Sequence, residues 1–128
     1  MPGYSANIEK ETLENKNYRK VLFTGEKMQL VVMSLKPQED IPMETHNYID
    51  QFIRIEEGEA LVRVGDEEFN LKDDDVVVIP AGNRHYVKNT SKDKELKLYT
   101  IYAAPEHPPN TIHKTKADAE ADENDKVH

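Results

Sequence analysis

Two short patterns in the chain carry residue types that bind metals. The first runs Glu44-x-His46-x-x-x-x-Gln51 and is followed by Gly58; the second runs Pro80-x-Gly82-x-x-His85-x-x-x-Asn89. An imidazole on each of two segments, one with a carboxylate two residues before it and an amide five after, is a donor set for one cation. Two neutral imidazoles and a carboxylate leave open positions on a first-row metal. Gln51 adds a neutral amide oxygen, or stands behind the ligands and orients one of them or a bound water. With one carboxylate, a divalent ion keeps a net charge of about +1, which suits an anionic or enolisable molecule. A lone His on a strand more often serves as a hydrogen-bonded core or surface residue, and most Glu side chains face solvent. The constellation, rather than any one member, makes Glu44, His46, Gln51 and His85 the expected metal ligands.

These residues need a scaffold that makes them converge. From Val21 to Tyr102 the chain reads as short apolar runs between turn signals, the pattern of an all-β sandwich or barrel. Strands are expected at Met28–Leu35, Gln51–Glu56, Ala60–Val64, Glu67–Leu71, Val76–Ile79, His85–Lys88 and Leu96–Tyr102, with a hairpin turn at Gly65-Asp66. Glu44 and His46 share a face if their segment is extended. His46 and Gln51 have the wrong parity for one straight strand, so Asn47-Tyr48-Ile49-Asp50 is read as a turn between them. Gly82 supplies a reversal just before His85. Inward positions of neighbouring strands then face a common cavity.

The ends of the chain differ from its middle. Residues 1–19 are a polar arm without a clear period, 20–103 the barrel, and 104–128 a tail. Pro105, Pro108 and Pro109 oppose regular strand pairing in the tail. Thr115 can cap one or two helical turns over residues 116–121, and Asp122 to His128 are expected to fray. His107 and His113 are read as loop residues, with a general acid or base over the barrel mouth as the alternative. Tyr48 and Tyr86 adjoin ligand positions and are read as packing. Arg54 points away from Gln51. Asp73-Asp74-Asp75 is read as a solvated turn, since the ligand spacing of a calcium loop is absent.

Composition narrows the classes. The chain has 128 residues, 25 acidic against 17 basic, and a formal net charge of −8. No basic stripe with interleaved aromatics suggests nucleic acid, and no apolar run is long enough to span a bilayer. Cysteine is absent, which removes disulfides and thiolate ligands. A cytoplasmic protein is expected. So is a homodimer, because Met28–Leu35 is apolar on both faces and an open sheet edge favours pairing.

The two patterns resemble the motifs of the cupins, small barrels of double-stranded β-helix, jelly-roll-like type. Pro80, Gly82, His85 and Asn89 match the second cupin motif, although Asp74 stands where its opening Gly is usual. His46 and Gly58 match the first. Glu44 stands where the first His is usual and Gln51 where the Glu is usual, which keeps one carboxylate in the set. The segments Thr12–Asn15, Gln29–Pro37, Asp50–Glu59 and Glu106–Pro109 are similar to small single-domain cupins labelled mannose-6-phosphate isomerase-like.

The resemblance implies an all-β single-domain cupin with a short helical or irregular tail. It also implies a divalent transition metal, iron, manganese, zinc or nickel. Fold alone does not choose an activity. The expected function is metal binding, with a small oxygen-containing molecule bound or transformed at the metal by an isomerase, dioxygenase or lyase. The alternative is a non-catalytic cupin that binds a ligand for sensing. A sugar isomerase is the weaker expectation, because no phosphate cradle is evident. A barrel without metal is the remaining reading.

Overall fold

The computed structural model describes residues 1–125. Its strands are β1 (Arg19–Thr24), β2 (Gln29–Leu35), β3 (Asp40–Thr45), β4 (Asp50–Glu57), β5 (Glu59–Val64), β6 (Glu67–Lys72), β7 (Val76–Ile79), β8 (Arg84–Asn89), β9 (Leu96–Ala103) and β10 (Ile112–His113). All pairings are antiparallel. One sheet runs β10-β1-β2-β9-β4-β7 and the other β3-β8-β5-β6. This is the all-β, jelly-roll-like architecture expected from the sequence.

The core forms where the inner faces of the two sheets meet. Strand β4 alternates buried Gln51, Ile53 and Ile55 with outward Phe52, Arg54 and Glu56. Strand β8 does the same with His85, Val87 and Asn89. Val62, Val87, Ile53, Ile55, Leu96 and Leu98 are almost wholly buried and fill one end. The inner face turns polar toward the other end, where Gln51, His85 and Thr100 stand. Polarity at one end of an otherwise apolar core marks a site rather than packing.

Three further positions of the two patterns have physical reasons. Gly58 sits at φ +114°, and a Cβ there would lie 3.0 Å from the Glu95 carbonyl oxygen and 3.2 Å from Leu96 Cα. Gly82 sits at φ +87° and its N–H donates to the His46 carbonyl at 2.9 Å, joining the second pattern to the first. Asn89 is fully buried, and its side-chain N–H group reaches the carbonyls of Leu35, Lys36 and Lys94 at 3.2, 3.1 and 2.9 Å. Its role is to pin two loops.

The polar arm contains a helix that the sequence did not suggest. Helix α1 (Ile8–Glu14) is capped by Asn7, which accepts from the Lys10 N–H, and it buries Thr12. It packs over β2, β4 and β9. Lys97 reaches across to donate to the Asn15 carbonyl (2.6 Å) and the Ser34 hydroxyl (2.9 Å). At this end the outer face of β2 is therefore covered by the chain's own arm.

The tail also packs more firmly than expected. After the prolines, β10 pairs with β1, Arg19 opposite His113. Helix α2 (Lys116–Ala121) follows, with Thr115 as its cap as the sequence indicated. Fraying was expected from Asp122 onward. Instead, Glu123–Asp125 form a 3-10 turn and Asp125 is buried; residues 126–128 lie outside the described part.

Candidate metal centre

Glu44 and His85 face each other directly across β3 and β8. His46 follows at the end of β3, beyond a register shift between Ile41 and Glu44. These three side chains offer ligand atoms that all lie within 4.8 Å of one another. Glu44 Oε1 is 3.2 Å from His46 Nε2 and 3.5 Å from His85 Nε2. The two imidazole rings sit 5.1 Å apart, tilted by 50°.

The outer nitrogen of each ring fixes what the inner one does. His85 Nδ1 lies 3.0 Å from the Asn83 carbonyl oxygen, so Nδ1 carries the proton and donates. His46 Nδ1 faces the Glu106 carboxylate, with Oε2 at 3.2 Å, and that negative charge favours the proton on Nδ1. In the neutral rings both Nε2 atoms are then lone pairs, and both are buried without a well-formed hydrogen bond. Two lone pairs and a carboxylate oxygen turned on one another repel unless a cation stands between them. This donor set fits a divalent transition metal.

The electrostatics agree. Burial raises the Glu44 carboxyl, but the His46 and His85 imidazoles beside it outweigh that and hold it well below the usual carboxylate range. Burial lowers His46, but Glu44, with Glu106 behind it, outweighs that and holds the imidazole above its ordinary value. In the metal-free protein a proton competes for the place of the cation.

Gln51 stands on the opposing sheet. It lies across from Tyr102 in register, and the Tyr102 ring meets His46 edge-on at 6.0 Å. Gln51 Nε2 donates to Thr100 Oγ1 at 3.0 Å, which leaves Oε1 buried without a hydrogen-bond partner. An orphaned amide oxygen on the inner wall fits a further ligand or a partner for a bound water.

Other sequence expectations sort cleanly. Tyr48 is 92% exposed and plays no part in the site. Tyr86 donates to Asp40 at 2.7 Å. Arg54 points outward to Glu56 and Asp74, and Asp73 and Asp75 cap backbone N–H groups in their turn. His107 stands in a loop, as expected, but is buried there; His113 is corrected, since it lies in β10 and is buried. His107 Nδ1 pairs with Asp125 (2.7 Å) and its Nε2 lies 3.3 Å from the Tyr102 hydroxyl; His113 bridges Arg19 and Asp122.

Three residues near the site escaped the sequence reading: Glu106, Tyr102 and Arg19. Gln29 positions Glu106 and His107, accepting from their N–H groups at 3.1 and 2.9 Å. A cavity of about 190 Å³, lined among others by Arg19, Glu44, Glu106, His107 and Lys116, reaches the centre at Glu44; His46, His85 and Gln51 do not line it. A larger cleft of about 850 Å³ lies at the far end of β4, around Gly58, Asp73 and Asp93, and holds none of these ligands.

Fold and site together define the class. The cupin domain family profile matches residues 31–102, and the chain belongs to that family. It is 44% identical over 126 residues to the Bacillus subtilis (strain 168) protein YrkC, covering 94% of this chain and 67% of that one. A protein of Acanthamoeba polyphaga mimivirus is 47% identical over 112 residues, covering 85% of this chain and 70% of its own. The crystal structure of BH2720 from Bacillus halodurans superposes with a TM-score of 0.91 at 43% identity, over 94% of this chain and 96% of that one.

Proposed function

We propose that the chain binds one divalent transition metal through Glu44, His46 and His85, with Gln51 as fourth ligand or as partner to a bound water. The observation that carries this reading is the inward turn of both Nε2 atoms onto Glu44 Oε1, with His85 Nδ1 held by a hydrogen bond to the Asn83 carbonyl and His46 Nδ1 facing the Glu106 carboxylate. When bound, such an ion would supply Lewis-acid charge to an oxygen of a small molecule. Glu44 holds the ligand position nearest the cavity, its side chain 36% exposed. Glu106 orients His46 and keeps its Nε2 available. Tyr102 stays protonated, because burial and the carboxylates of Glu44 and Glu106 all raise its hydroxyl. Its hydroxyl faces His107 Nε2 at 3.3 Å and does not act as a base.

The cavity that reaches Glu44 favours a metal-dependent enzyme of small oxygen-containing molecules over a closed, purely structural centre. The non-catalytic, ligand-sensing reading differs in one property, an exchangeable coordination position. Cobalt-substituted protein tests this. A change in its visible spectrum on adding azide supports an open position; a spectrum indifferent to azide argues for a closed one. The mannose-6-phosphate isomerase reading finds only Arg19 and Lys116 as cations on this cavity among the described residues, and Lys116 is bound to Asp40.

A homodimer is part of the same proposal. Edge strand β7 presents Val76 and Val78, 48% and 59% exposed, beside Phe52 and Tyr99, whose rings lie 6.1 Å apart. An apolar edge of this kind is protected by pairing. Light scattering should give about twice the 14.7 kDa chain mass, falling to the chain mass for Val78→Lys. A wild-type monomer at high concentration contradicts it.

A further inference from the structure

Arg19 opens β1, and its guanidinium is buried, the residue only 8% exposed. Buried cations are normally paired with carboxylates. Arg19 has none within 4 Å among the described residues. Its NH1 donates to His113 Nδ1 at 3.1 Å, its Cζ lies 5.4 Å from the centroid of the Tyr18 ring, and its Nε is buried without a hydrogen-bond partner. His113 cannot serve as counter-ion, since accepting that bond makes it the neutral ring that donates through Nε2 to Asp122 at 2.9 Å. The other cation on the cavity wall, Lys116, is already bound to Asp40.

The cavity explains what Arg19 lacks. It is lined by Arg19 on one side and Glu44 on another. At about 190 Å³ the space equals that of about six waters, enough for a molecule of a few heavy atoms. Arginine holds its charge at any working pH and presents a fork that matches a carboxylate.

We infer that Arg19 is the specificity-determining residue of this cavity, and that its ligand is a small carboxylate carrying a second oxygen function, held between the Arg19 guanidinium and the centre at Glu44. This deepens the metal proposal and rests on it for the second oxygen. The carboxylate preference rests on Arg19 alone. A neutral sugar would leave the buried guanidinium unpaired and is disfavoured by the same argument.

The test compares glycolate with its uncharged isostere glycolamide, by calorimetric titration of zinc-loaded protein. Wild type should bind glycolate at least ten times more tightly than glycolamide. Arg19→Gln should cut that ratio at least fivefold while zinc content stays the same, and Arg19→Lys should keep part of it. Equal affinities in the wild type, including no binding of either, overturn the inference, as does an unchanged ratio in folded Arg19→Gln. If Arg19→Gln does not fold, the wild-type ratio and Arg19→Lys decide. A chain that takes up no zinc contradicts the metal proposal instead; the same ratios are then read on the metal-free protein by the same criteria.

Discussion

His46 Nδ1 lies 3.2 Å from Glu106 Oε2, which couples the proposed metal centre to a residue sixty positions away that contributes no ligand. A carboxylate behind a ligating imidazole fixes its tautomer and raises its basicity, an effect worth about 10- to 100-fold in metal affinity. Glu106→Gln keeps an acceptor but loses the charge. Its zinc affinity, measured by competition with a chelator, should fall about tenfold with stoichiometry unchanged. An unchanged affinity would show that Glu106 only packs.

Protons and metal compete for His46. The metal-free imidazole sits above its ordinary value of about 6.5, because Glu44 and Glu106 outweigh the opposing effect of burial. In the metal-free protein this group stabilises the fold below about pH 6.5, and that contribution is lost as pH rises through the raised value. Metal affinity runs the other way. It should be greatest above the raised value and fall as pH drops through it, with a proton released on binding near neutrality. Titration of zinc binding in buffers of differing ionisation enthalpy measures that proton. Glu44→Gln should shrink both the proton release and the affinity.

The tail should answer to acid in a second way. Burial and the charge of Arg19 push His107 below its ordinary value, against the opposing pull of Asp125 and Glu44. A lowered histidine destabilises the folded form as pH falls below about 6.5 toward that value, because the unfolded chain takes the proton first. Helix α2 and the turn that carries Asp125 should therefore show lower amide protection factors, corrected for the intrinsic pH dependence of exchange, at pH 5.5 than at pH 7.5. His107→Gln should abolish most of that difference. Equal protection factors at both pH values would contradict the assignment.

How much of this was legible in the sequence follows from how local each signal is. Strand β7 could be read directly, because Val76–Ile79 is a short apolar run between turns. Glu44, His46 and His85 could be read because ligand type and spacing sit within two compact motifs. Strand β3 was harder: only Ile41 is buried in it, and its register shifts. Helix α1 was missed because one buried residue, Thr12, leaves no apolar stripe to detect. Arg19 and Glu106 lie in the arm and the tail, and they reach the centre through contacts remote in sequence, Gln29 with His107 and Arg19 with His113. No local pattern encodes such contacts. The outward Lys97, buried under α1, belongs to the same class.

The central claim is a single metal held by Glu44, His46 and His85. It is tested most directly by elemental analysis of protein purified without a histidine tag or chelating resin, dialysed against a limiting excess of zinc. The wild type should hold about one zinc per chain, and His46→Ala and His85→Ala should hold none, each with circular dichroism still dominated by strand. Gln51→Ala should retain zinc with weaker affinity, since water can replace an amide ligand. Stoichiometric zinc in the folded double variant His46→Ala/His85→Ala would contradict the account.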